Sequence, residues 1–82
     1  MTSAPLPALL HRRVVRPDVG RRIRWYREKG RMRQKDLAHR AGVAPRAFSS
    51  AEHEGLVSVA TAEKIADALG IPLTAIWPRE TP

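Results

Sequence analysis

Eighty-two residues make room for one small domain. The chain has no cysteine, which excludes disulfides, zinc–thiolate fingers and thiol nucleophiles and fits a reducing compartment. Fifteen Lys and Arg against eight Asp and Glu give a formal charge of +7. That charge is concentrated, since residues 11–40 hold twelve bases and three acids (+9) and residues 41–82 hold three bases and five acids (−2).

A cationic half suits a polyanion, and nucleic acid is the usual one; the bland reading is a basic surface kept for solubility. No apolar run approaches the roughly 18 residues of a membrane span. The charges of "MTSAPLPALLHRR" follow its apolar patch, which is not the order of a secretory signal. The sequence therefore reads as cytoplasmic, with no membrane partner.

Residues 1–16 read as a flexible basic N-terminal arm, punctuated by Pro5 and Pro7, with Pro17 just beyond. "ALLHRRVV" within it fits either a short helix on a protein partner or a disordered basic stretch. Residues 17–78 form the folded domain, and 79–82 are a C-terminal tail. From Asp18 the pattern is helical. Val19, Ile23 and Tyr26 recur at helix spacing, with Gly30 as the stop. A second helix runs from Gln34 to Arg40, with Leu37, Ala38 and Ala41 inward. A third runs from about Pro45 to His53, because proline suits a first helical turn, and Phe48 and Ala51 form its inner face. Ser58 is a good N-cap for a fourth helix, with the stripe Val59, Ala62, Ile65, Ala66 and Leu69 and a stop at Gly70. A short fifth helix holds Leu73, Ile76 and Trp77. No segment alternates as a strand. Trp25 points away from the Tyr26 face and is expected to pack on the N-terminal arm; Trp77 is expected to close the core.

The stretch "LAHRAGVAPRAFSSA" has the logic of a tight corner between two helices. Ala38 permits close backbone approach, Gly42 suits a left-handed turn, Val43 seals the turn, and Leu37, Phe48 and Ala51 fill the angle. Such a pair is a helix-turn-helix, whose second helix can enter the major groove, about 12 Å wide.

Residues 19–77 resemble the XRE-type (lambda-repressor-like) helix-turn-helix domain. The matching pieces, in order, are "RRIRWYREKG", "RQKDLAHRAGV", the glutamate of "SSAEHEG", "EKIADALGI" and "PLTAIW". The resemblance implies an all-α, compact five-helix bundle that binds double-stranded operator DNA, usually as a homodimer, and regulates transcription without a cofactor. It further implies that Gln34 contacts a DNA phosphate at the start of the second helix, with Arg33, Lys35 and Ala44 as further phosphate positions. Pro45, Arg46, Ser49 and Ser50 match base-reading positions of the third helix. Arg27 and Glu52 match a structural ion pair between the first and third helices. The chain departs from the pattern at Gly30–Arg31, where glycine comes one position early, and at Arg33 and Ala44, where relatives often carry Ser or Thr caps.

Catalysis is not expected. Ser49, Glu52 and His53 share one helix, with no oxyanion site and no orienting third group. "HEGLV" begins like a zinc-protease motif, but its fifth position is Val57, so no metal site is expected. The reading is a sequence-specific DNA-binding transcriptional regulator of bacterial or phage type, nucleoid-associated and acting as a repressor. The alternative is a protein-interaction module, such as the antitoxin of a toxin–antitoxin pair or a transcription-complex adaptor, engaging its partner through the N-terminal arm.

Overall fold

Apolar side chains at helix spacing fold the chain around one small core, in a computed structural model that describes residues 6–78. The elements are α1 (Leu6–His11), β1 (Val14–Val15), α2 (Pro17–Lys29), α3 (Gln34–Ala41), α4 (Pro45–His53), β2 (Leu56–Val57), α5 (Val59–Leu69) and α6 (Leu73–Ile76). The five helices expected from the sequence are α2 to α6. The tail at 79–82 and the first five residues of the expected arm lie outside the described residues.

Each helix after α1 gives the core one stripe. Val19 and Ile23 come from α2, Leu37 and Ala38 from α3, Phe48 and Ala51 from α4, and Ala62, Ile65 and Ala66 from α5. Val57 and Ile76 complete it, and all are essentially inaccessible to water. Tyr26, Val43, Leu69 and Trp77 pack on its edge, half-buried. Burying a side chain such as Phe48 or Leu37 contributes about 1.5–3 kcal/mol.

Gly20 lets α2 lie directly on α4. A Cβ built there would stand 2.4 Å from the carbonyl oxygen of Ala51 and 2.9 Å from that of Glu52. No larger residue fits at that approach.

Three helices end in one hydrogen-bond pattern. After α3, Gly42 takes φ 70°. Its N–H donates to the His39 carbonyl at 3.1 Å, and the Val43 N–H donates to that of Ala38 at 2.9 Å. This closed loop lets the chain turn sharply into α4. Gly70 ends α5 in the same way. At the end of α2 the left-handed residue is Arg31, at φ 56°, while the expected stop, Gly30, keeps φ −82°. The reason is the register of the pattern. The Arg31 N–H donates to Glu28 and the Met32 N–H to Arg27, so the left-handed position falls one residue beyond the glycine.

The expectation of no strand is corrected by one antiparallel pair, Val14 with Val57 and Val15 with Leu56. The Arg16 N–H continues it, donating to the Gly55 carbonyl at 2.7 Å. Strands of two residues are too short to show alternation. The stretch read as an arm thus carries α1 and β1, and α1 lies against α5. Trp25, expected to pack on that stretch, has ring partners within α2. It is 55% exposed, with the Lys29 ammonium 4.7 Å from its ring centroid and the Tyr26 ring edge-on at 4.9 Å.

Candidate nucleic-acid interface

The helix pair α3–α4 presents its polar residues according to which side of each helix the core takes. On α3, Leu37 and Ala38 point inward, while Lys35, Asp36, His39 and Arg40 are exposed. On α4, Phe48, Ala51 and Glu52 are buried; Pro45 and Arg46 are exposed, and Ser49 and Ser50 are half-exposed. An open groove runs beside the turn, lined by Lys35, Asp36, His39, Val43, Ala44 and Pro45. The outward side of α4 therefore borders the exposed polar residues of α3.

Both helices start without a side-chain cap, because Arg33 and Ala44 precede them and neither caps by hydrogen bond. Arg33 instead turns forward, its Nε donating to Asp36 Oδ2 at 2.9 Å. An Ala in place of Ser or Thr at such a position typically costs about 1 kcal/mol. Ser58 shows the contrast, since its hydroxyl accepts from the Thr61 N–H at 3.1 Å.

Behind this surface sits a buried charge cluster. Arg27 Nε donates to Glu52 Oε2 at 2.6 Å and its Nη2 to Oε1 at 3.0 Å, a two-pronged bridge from α2 to α4. Arg27 Nη1 also donates to the Met32 carbonyl at 2.8 Å, tying the corner before α3. The Glu52 side chain is wholly buried, and that of Arg27 nearly so. The hydrogen bond to Glu52 raises the Arg27 pKa above its already high ordinary value, so the guanidinium stays charged.

Gln34 joins the cluster. Its Nε2 donates to Glu52 Oε1 at 2.9 Å and lies 3.2 Å from His53 Nε2. The start of α3 is thereby fixed to the end of α4 by side chains 18 and 19 positions apart. The resemblance paired Arg27 with Glu52; it did not join Gln34 or His53 to them, and the Gln34 amide carries no charge to signal that contact.

A helical core with a glycine turn between α3 and α4, one polar helix face outward and an ion pair locking that helix from behind, defines a helix-turn-helix domain. A helix-turn-helix family model matches residues 23–76, and the chain belongs to that family, of the XRE type, whose members are DNA-binding transcription regulators. No curated protein matches the sequence. The fold is similar to the N-terminal DNA-binding domain of SinR from Bacillus subtilis, with a TM-score of 0.71 and 26% identity, covering 82% of this chain and all of that one. It is also similar to SinR, described as the master regulator for biofilm formation, in complex with DNA. There the TM-score is 0.66 and the identity 30%, covering 72% of this chain and 97% of that one.

Proposed function

We propose that the protein is a sequence-specific transcription regulator, a repressor, that lays α4 in the DNA major groove. The observation that carries this reading is the division of α4 into a locked face and a free one. Phe48, Ala51 and Glu52 are held by the core and by Arg27, while Arg46 projects from the opposite side and Pro45 is exposed at the start of the helix. Arg46 is the long donor of that side. Paired with guanine O6 and N7, it would supply about 1–3 kcal/mol of discrimination. Pro45, Ser49 and Ser50 complete the reading surface, the serines through short hydroxyls and the proline through apolar contact.

Phosphate contacts orient the helix in the groove. Arg33, Gln34 and Lys35 supply them at the start of α3, and the backbone before α4 supplies one at Ala44. The relatedness to a regulator seen in complex with DNA supports the same docking here. As a homodimer, the protein would set its two α4 helices about 34 Å apart, in successive major grooves. The test is binding to random duplex DNA across salt concentrations. Phosphate engagement predicts affinity that falls steeply, with a log–log slope of several units; binding insensitive to salt would refute it.

A second reading, a protein-interaction module of antitoxin or adaptor type, draws on the apolar groups near the N-terminus. Leu9, Leu10, Val14 and Val15 are exposed, Val15 by 66%. That reading is selected if duplex DNA of every sequence fails to bind.

A further inference from the structure

His53 is the last residue of α4, exposed, with its Nε2 3.2 Å from Nε2 of Gln34. The amide nitrogen of Gln34 carries two hydrogens and accepts none. One hydrogen goes to Glu52 Oε1 at 2.9 Å; the other faces the imidazole. That second contact is a hydrogen bond only when the His53 ring is neutral and holds its proton on Nδ1, leaving Nε2 as the acceptor. In this state both amide hydrogens of Gln34 are consumed inside the protein. A phosphate reaching the start of α3 finds neither of them available.

Protonation of the ring reverses the arrangement. Nε2 then bears a hydrogen, and two donors 3.2 Å apart repel. Gln34 is released to point one N–H outward, and His53 adds an N–H and a positive charge beside it. A phosphate oxygen satisfies both donors and favours the charged ring, as an anion beside imidazole does in general.

The other charged groups around the ring lie on α4, α2 and α3. Glu52 of α4 is bonded to Gln34 and to Arg27 of α2. Glu54 follows in the chain and is exposed, as are Arg33 and Lys35 flanking Gln34 on α3. β2, packed on α4, contributes Leu56 and Val57 only.

We propose that His53 is a phosphate-contacting residue that works with Gln34 as the imidazolium, so that DNA binding takes up one proton from solvent. The inference rests on the reading of Gln34 as a phosphate contact.

Affinity for a random-sequence duplex, measured by fluorescence anisotropy at fixed ionic strength from about pH 5.5 to 8, tests it over the range where histidine titrates. The wild type is expected to bind more tightly as pH falls, by up to about tenfold per pH unit for one coupled proton. His11→Gln and His39→Gln should keep that slope, and His53→Gln should lose it. His53→Lys, with a fixed charge, should hold the tighter affinity across the range. Thermal unfolding confirms that all four variants are folded. Salt-sensitive binding with an unchanged slope in His53→Gln overturns this inference alone. No duplex binding at any pH overturns it together with the regulator reading.

Discussion

Arg27 and Glu52 clasp each other through two hydrogen bonds, at 2.6 and 3.0 Å, across the junction of α2 and α4. Both charges are shielded from water, so removing one strands the other. Glu52→Ala leaves the Arg27 guanidinium and the Gln34 amide without their acceptor, and should cost about 3–5 kcal/mol in denaturant unfolding. The double variant Arg27→Met/Glu52→Leu should recover most of that loss, since well-packed apolar pairs replace buried ion pairs at little cost.

Gly20 is the contact point of the same two helices. Gly20→Ala drives a methyl group into the carbonyls of Ala51 and Glu52, and backbone there cannot step aside. Overpacking of this kind typically costs about 1–3 kcal/mol. The midpoint of urea unfolding should fall accordingly, although alanine is the better helix former.

Arg31 holds the left-handed conformation at φ 56°, which disfavours a Cβ by about 1–2 kcal/mol. Arg31→Gly relieves that strain and loses part of the gain to a more flexible unfolded chain. The net effect should be stabilising by about 0.5–1 kcal/mol, read as a rise in melting temperature of a few degrees.

Asp18 accepts two hydrogen bonds from Arg16, at 3.1 and 3.0 Å, and these hold its carboxyl below the ordinary value of 3.8. The folded value is lowered, so the stabilisation is present above 3.8 and is lost as pH falls through the lower folded value. Asp18→Asn should therefore destabilise at neutral pH, and its stability should converge on that of the wild type in acid. A pH series of thermal melts reads the difference.

The helices were legible because their signals are local. Val19, Ile23 and Tyr26 repeat within one helix, Pro45 marks a first turn, and Gly42 and Gly70 mark ends. The close approach at Gly20 was not legible, because its reason lies in the Ala51 carbonyl of another helix. Arg31 stood beside the glycine that looked like the stop, and only the hydrogen-bond register shows which of the two turns left-handed. The outward residues of α4 could be told from the inward ones by the position of Phe48 and Ala51. The grouping of Gln34, Glu52 and His53 could not, because it depends on how α3 crosses α4.

The claim that α4 reads base edges is tested most directly by selecting bound sequences from a random duplex pool with the wild type and with Arg46→Ala. The account predicts that the wild type enriches a motif containing a guanine whose preference disappears in Arg46→Ala, while overall salt-dependent binding persists. Recovery of the same motif, with the same guanine preference, by both proteins would contradict it.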